Sequence, residues 1–124
     1  VGIAQLNRIK KTIIQKQKVR SKYKELLSLS NNIKIFEPKL LNKYNPHRFI
    51  VFVNNAKNTI NKLNKKGIGA RSMFHPMHNQ PMYKTHGVFP NTESIFKHGI
   101  CLPSAPNLTD QNIEYISNTL QESL

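Results

Sequence analysis

Apolar residues recur at three- and four-residue steps along the first quarter of the chain, and this spacing predicts one long helix over residues 1–29. Lysine and glutamine fill the other positions of this segment. A one-sided helix of this length has to cover a large surface, and a chain of 124 residues need not contain all of it. The predicted apolar stripe consists of Ile3, Leu6, Ile9, Ile13, Tyr23, Leu26 and Leu27.

The middle of the chain alternates between strand-like and helix-like patterns. Residues 33–38 and 48–53 are rich in β-branched and aromatic side chains, which predicts two strands, and the second is apolar enough to be covered on both faces. A helix is expected over 57–66, with Asn54 or Asn55 as its N-cap and Gly67 at its end. Its predicted buried stripe is Ala56, Ile60 and Leu63.

The last third of the chain is predicted to hold more loop than the rest. A strand is expected over 68–71, a loop over 72–90 and an extended piece over 101–103. Helices are expected over 91–98, capped by Asn91 or Thr92, and from Thr109 onward, with a buried stripe that follows. That stripe is Ile113, Ile116 and Leu120. Together these elements predict an α/β fold, a small α+β sandwich with a largely antiparallel sheet.

The chain is strongly basic, with 19 lysine and arginine residues against six acidic ones and a formal net charge of +13. This charge raises the hypothesis of a basic nucleic-acid-binding module. Lysine outnumbers arginine fifteen to four, however, whereas arginine supplies most bidentate phosphate and base contacts. A solvated lysine-rich surface is therefore the preferred interpretation, and no nucleic-acid partner is expected.

The single cysteine, Cys101, cannot form a disulfide within the chain, and it sits between two apolar residues as a small buried side chain would. No apolar run reaches the length of a membrane span, and no secretory leader is evident. We therefore expect a cytoplasmic protein without a membrane partner.

The spacing of two residue pairs raises the hypothesis of a zinc site, because two residues separate His75 from His78 and also His98 from Cys101. A proline lies inside the first pair, and structural zinc modules use far more cysteine than this chain contains. We therefore expect no metal ligand here. The residues in question are His75, His78, His86, His98 and Cys101.

Three segments resemble one family in their order and spacing. They are VGIAQLNRIKKTIIQKQKVRSKYKELL at the start, GIGARSMFHPMHNQPMY from Gly67, and NTESIFKHGICLPSAPNLTDQNIEYISNTL from Asn91. The chain resembles the C-terminal part of the DegT/DnrJ/EryC1/StrS aminotransferases, and within them the perosamine and viosamine synthase branch. The resemblance implies an interdomain helix at 1–29 and a small C-terminal domain of the fold type I class at 30–124.

The resemblance also implies a function. Family members use pyridoxal 5′-phosphate to aminate a nucleotide-linked 4-keto-6-deoxy sugar, commonly with glutamate as amino donor, and act as homodimers. The cofactor-binding large domain is expected to be absent from this sequence, and none of its lysines resembles the Schiff-base lysine. We therefore expect no catalytic or cofactor-binding residue in this chain, a truncated form, and no activity by itself.

The resemblance implies that His78 lies near the sugar-binding mouth. Tyr83 is a candidate contact to the sugar nucleotide, and Arg71 is a candidate phosphate ligand. Each has a plainer alternative: His78 bonds only to the backbone, Tyr83 only packs, and Arg71 forms an ordinary surface ion pair. A stand-alone interaction remnant, which docks on a complete relative through residues 1–29, is a further hypothesis.

Overall fold

The computed structural model describes residues 2–38, 44–83 and 87–124. The elements in chain order are α1 (Gly2–Leu27), β1 (Lys34–Ile35), β2 (Phe49–Phe52), α2 (Ala56–Lys65), β3 (Arg71–Ser72), α3 (Pro90–His98), β4 (Gly99–Leu102) and α4 (Asp110–Glu122). Two short 3₁₀ turns, Met77–Asn79 and Pro81–Tyr83, lie between β3 and α3. The predicted α/β class with a small antiparallel sheet is confirmed.

The four strands form one sheet in the order β1-β2-β4-β3, and every neighbouring pair is antiparallel. The interior strand β4 pairs along its whole length with β2, from Phe49 opposite Leu102 to Phe52 opposite Gly99. The sequence predicted only an extended piece at 101–103 here, which is wrong in extent. Its four residues are all buried, because they lie between two strands and under helices.

Helix α1 is buried only along its second half. Val19, Tyr23 and Leu27 enter the core, whereas Ile3 and Leu6 are 78% and 68% exposed. The Tyr23 ring stacks on Phe49 with its centroid 4.6 Å away, and its hydroxyl donates a 2.9 Å hydrogen bond to the Pro103 carbonyl oxygen. The predicted helix is therefore confirmed, and the surface that its first half would cover is not found among the described residues.

Helices α2 and α4 begin as their sequences predict. In α2, Ile60 is only partly buried, and Thr59 is buried beside the predicted Ala56 and Leu63. The Asn55 side chain accepts a hydrogen bond from the Asn58 amide, and Gly67 adopts a positive φ of 77° after the helix end. Thr109, where the sequence predicted the start of the last helix, caps α4 in a capping box with Asn112. The predicted stripe of α4 is buried in the same core as α1 and the inner sheet residues; it consists of Ile113, Ile116 and Leu120.

Three boundaries predicted from the sequence are wrong. Strand β1 covers only Lys34–Ile35 instead of 33–38. Helix α3 begins at Pro90, which needs no hydrogen-bond acceptor for its nitrogen, and its N-cap is Phe89 rather than Asn91 or Thr92. Strand β3 lies at Arg71–Ser72 instead of 68–71. Ile68 and Ala70 are buried, and a hydrogen bond from the Ala70 amide to the Ile68 carbonyl closes a turn there. This turn replaces the strand pairing that the apolar pattern favoured.

Candidate functional site

The segment between β3 and α3 carries the predicted site residues His78 and Tyr83, and its turns are held by its own backbone. The Asn79 amide donates to the Pro76 carbonyl and the Gln80 amide to the Met77 carbonyl, which closes the first 3₁₀ turn around His78. Pro76 is buried, so the turn is anchored at its N-terminal end.

His78 is fixed by side chains of α3 rather than by the backbone. Its Nε2 lies 2.6 Å from Oε1 of Glu93, and the same carboxylate oxygen accepts a 2.8 Å hydrogen bond from Nδ2 of Asn79. The imidazole also lies against the Phe89 ring, with a centroid separation of 4.5 Å and an interplanar angle of 32°. The hydrogen bond from His78, followed by that from Asn79, lowers the pKa of the Glu93 carboxyl below its ordinary value.

Arg71 lies exposed on β3, opposite Cys101 of β4. It lines a pocket of about 250 Å³ together with Arg48, His47 and Ser104. The Arg48 guanidinium lies 4.7 Å from the centroid of the Phe74 ring, a cation–π distance that orients the side chain. Among the described residues no carboxylate pairs with either arginine, so the surface ion pair considered for Arg71 is not found there.

Tyr83 lies in the second 3₁₀ turn and is 53% exposed. Within the described part of the chain, no hydrogen bond, ion pair or ring contact joins Tyr83, Arg71 and His78 to one another. The three predicted residues therefore lie in separate environments and do not form one cluster among the described residues. A larger groove of about 880 Å³ runs between α2 and α3, with Glu93 at its wall beside Ile60 and Phe96.

Sequence reasoning missed Glu93 and Phe89, which contact the His78 ring, and Asn79, which donates to the same Glu93 oxygen. Asn79 follows His78 directly, but its side chain has no pattern that sets it apart from the fourteen other asparagines. Glu93 lies fifteen positions away, and only the return of the chain along α3 brings its carboxylate to the imidazole. An acidic residue in the first turn of a helix also stabilises the helix dipole. This local role explains Glu93 from the sequence alone, so its hydrogen bond to His78 is not suggested.

The residues considered for zinc occupy different places. His75 packs edge-on against Phe96, His98 Nδ1 lies 3.1 Å from the Val53 carbonyl oxygen, and the Cys101 thiol contacts the Met73 sulfur at 3.5 Å. Across residues 2–38, 44–83 and 87–124, no group of three or more potential ligands converges on one point. His86 lies outside the described residues. Cys101 is buried, as the sequence predicted.

Pyridoxal phosphate needs a lysine whose amine is held in a protected cleft, beside an acidic group and a phosphate cradle. The lysines that the structure describes are all exposed or half-buried. Lys16, one of the half-buried lysines, donates from Nζ to the carbonyl oxygens of Pro46, His47 and Ser104. Its hydrogen-bonding capacity is thus used by backbone, and the described residues do not fit a pyridoxal phosphate site.

The described helices also include none that is both long enough and apolar enough to pass through a bilayer. Helix α1 is long, but in its first half the apolar residues alternate with lysine, asparagine and glutamine. Its exposed apolar stripe is therefore narrow.

The described residues thus form a small antiparallel sheet packed against helices, with a long helix whose first half is exposed. The family model described as the DegT/DnrJ/EryC1/StrS aminotransferase family matches residues 1–121, and the chain belongs to this family. The resemblance that the sequence motifs carried is thereby confirmed.

Individual relatives agree with this assignment. The chain is 29% identical over 128 residues to GDP-perosamine synthase of Vibrio cholerae, covering 98% of this chain and 35% of that protein. It is 25% identical over 119 residues to EpsN of Bacillus subtilis (strain 168), whose name assigns it to the pyridoxal phosphate-dependent aminotransferases, covering 89% of this chain and 31% of EpsN.

A solved structure shows the same fold. Helicobacter pylori PseC, an aminotransferase involved in the biosynthesis of pseudoaminic acid, matches with a TM-score of 0.90 at 18% identity, over 98% of this chain and 35% of PseC. The chain thus spans about a third of the length of the relatives it matches. It carries one part of a sugar aminotransferase fold.

Proposed function

We propose that this chain forms the small domain of an enzyme that aminates a nucleotide-linked 4-keto-6-deoxy sugar, with glutamate as the amino donor. The observation that carries the proposal is the family match over residues 1–121, joined to the relation to GDP-perosamine synthases. In this proposal residues 1–29 are the interdomain helix and residues 30–124 the small domain. The complete enzyme is a homodimer, and this chain alone is inactive.

The exposed half of α1 supports a role as a connecting element. Ile3, Leu6 and Ile14 are each at least 66% exposed, although they are large apolar side chains. Exposure of a row of such residues costs free energy that contact with a further apolar surface recovers, by about 25 cal/mol per Å² buried. We propose that the cofactor-binding part of the enzyme supplies this surface.

Pyridoxal phosphate, held by that other part, supplies the electron sink on which amino transfer depends. The role proposed for this chain is to bind and orient the sugar nucleotide. His78 lies in an anchored turn and offers imidazole hydrogen bonding, Arg71 lies at a pocket with a second arginine, and Tyr83 offers an exposed phenol. Two arginines without described carboxylate partners favour an anionic group such as a diphosphate.

Reconstitution tests this proposal directly. The 124-residue chain is mixed with the cofactor-binding two thirds of a family enzyme, and amination of the keto-sugar nucleotide by glutamate is measured. We expect activity in the mixture and none with either part alone. Amination by the chain alone with added pyridoxal phosphate, or failure of the two parts to associate, would contradict the proposal.

The α1 contact has its own test in the same mixture. Replacing Ile3 and Leu6 by serine should weaken association at least tenfold, because the apolar area for contact is lost. Leu29→Ser is the matched control, since Leu29 is 91% exposed but lies beyond the end of α1. Equal weakening by both variants would argue against α1 as the contact.

A further inference from the structure

Glu93 and His78 form a hydrogen bond whose direction is determined. Glutamate carboxyls ionise well below neutral pH, so Glu93 is a carboxylate there and can only accept hydrogen bonds. Its Oε1 is 2.6 Å from His78 Nε2, a length typical of a strong charge-assisted bond. Nε2 therefore carries the proton and donates the hydrogen bond to Glu93 Oε1.

The state of the other ring nitrogen follows from this. A neutral imidazole has one N–H donor and one bare acceptor nitrogen, so a proton fixed on Nε2 leaves Nδ1 as the acceptor. Nδ1 has no hydrogen-bond partner in the part of the chain that the structure describes. The ring is held rather than free to turn, because its side chain is only 13% exposed and it lies against Phe89.

Both groups that hold the ring come from the same end of one helix. Phe89 is the N-cap of α3 and Glu93 lies one turn further on. The same Glu93 oxygen also accepts from Asn79 Nδ2 at 2.8 Å, which joins the turn to the helix at two consecutive residues. The imidazole is thus oriented by two contacts with the N-terminal end of α3, and the Asn79 hydrogen bond holds Glu93 in place beside it.

We propose that Glu93 is a positioning residue that commits His78 to the Nε2–H tautomer, so that His78 presents Nδ1 as an acceptor for a hydroxyl group. This inference rests on the proposed function for the identity of the ligand as a sugar. The proposed tautomer distinguishes a hydroxyl ligand from a phosphate ligand at His78. A sugar hydroxyl donates to Nδ1, whereas an ionised phosphate oxygen only accepts and finds no donor on the neutral ring.

The tautomer can be measured without substrate or cofactor. In the ¹⁵N-labelled full chain at pH 8, imidazole ¹H–¹⁵N spectra should show a protected His78 Nε2–H resonance and a bare Nδ1. A dominant Nδ1–H form, or an Nε2–H that exchanges with water as fast as that of an exposed histidine, would overturn the proposal. This result requires only the unmodified chain, so it does not depend on any variant folding.

Variants then test the cause. Glu93→Ala should abolish the protected resonance, whereas Glu93→Gln should keep it, because the amide oxygen still accepts a hydrogen bond. Glu25→Ala is the matched control, since it removes an exposed carboxylate from a different helix. A protected resonance that survives in Glu93→Ala would overturn the assignment, and so would its loss in Glu25→Ala.

Ligand chemistry is tested with inorganic phosphate on the chain and with the sugar substrate in the reconstituted enzyme. Phosphate at pH 8 should leave the His78 ring resonances unchanged, and a saturable shift would overturn the proposed hydroxyl preference. In the enzyme, Glu93→Ala and His78→Ala should each raise KM, and the double variant should be no worse than His78→Ala. Additive losses would show that Glu93 acts elsewhere.

The two proposals fail separately. If the parts do not reconstitute an aminotransferase, the spectra of the chain still report whether Glu93 fixes the tautomer. If reconstitution succeeds but Nε2 carries no protected proton, the proposed function stands and the positioning role of Glu93 is lost.

Discussion

Tyr23 connects α1 to the sheet through both parts of its side chain. The ring is buried against Phe49, and the hydroxyl donates to the Pro103 carbonyl just beyond β4. Burial of the phenol raises its pKa far above its ordinary value of about 10. The neutral hydroxyl is therefore part of what keeps the long helix in place.

This predicts an alkaline loss of stability with a definite sign. A folded-state pKa raised above the unfolded one gives stability that is complete below pH 10 and is lost as the pH rises beyond it. Tyr23→Phe removes this dependence and costs about 1 kcal/mol at pH 7 through the lost hydrogen bond. Urea unfolding at pH 7 and above pH 10 measures both effects. Equal alkaline loss in the variant would contradict the assignment.

Gly99 is required by close packing where α3 passes into β4. A Cβ atom there would lie 2.6 Å from the Ile95 carbonyl oxygen and would also contact the Met73 side chain. Gly99→Ala should therefore destabilise the chain by about 1–3 kcal/mol, as overpacking does. Gly69→Ala is the control, since nothing lies within 4 Å of its Cβ position. Urea midpoints of the two variants should differ clearly, and equal midpoints would refute the packing argument.

At the scale of elements, the capping box of α4 should contribute measurably to stability. Thr109→Ala removes the side-chain acceptor for the Asn112 amide and should cost about 1 kcal/mol. Thr92→Ala is the matched control, because the sequence predicted Thr92 as a cap but α3 begins before it. Thermal unfolding of the two variants distinguishes them. A larger cost for Thr92→Ala would mean that the boundary of α3 is wrong.

Sequence patterns predicted the helices better than the strands, for a physical reason. Helices such as α4 carry a local signature, with a cap at Thr109 and a buried stripe at Ile113 and Ile116. Strands β1 and β3 have two residues each, too few to show an alternation. The extent of β4 depends on partners at both sides, which are distant in sequence.

The candidate site shows the same limit. The motif around His78 identified the right loop, but Glu93 and Phe89 became visible only when α3 was placed against it. A single hydrogen bond between residues fifteen positions apart produces no periodic pattern in the sequence from which it could be predicted. The roles of His78, Tyr83 and Arg71 toward a ligand stay predictions.

For the whole molecule, the excess of positive charge should oppose folding. With a formal net charge of +13, we expect repulsion in the compact state to exceed what the ion pairs of α1 recover. Raising salt from about 0.01 M to about 0.1 M shortens the screening length from about 30 Å to about 10 Å. The free energy of unfolding in urea should therefore rise with salt. A fall would mean that the ion pairs, including Arg20 with Glu37, dominate.

The junction between α3 and β4 has a consequence for how the site responds to a ligand. The helix ends at His98 and the strand starts at Gly99, with no residue between them to bend. Helix α3 thus connects the Glu93 carboxylate directly to β4, an interior strand of the sheet. With a sugar bound at His78 as proposed, we expect Glu93 to keep its place relative to β4 rather than to shift with the ligand.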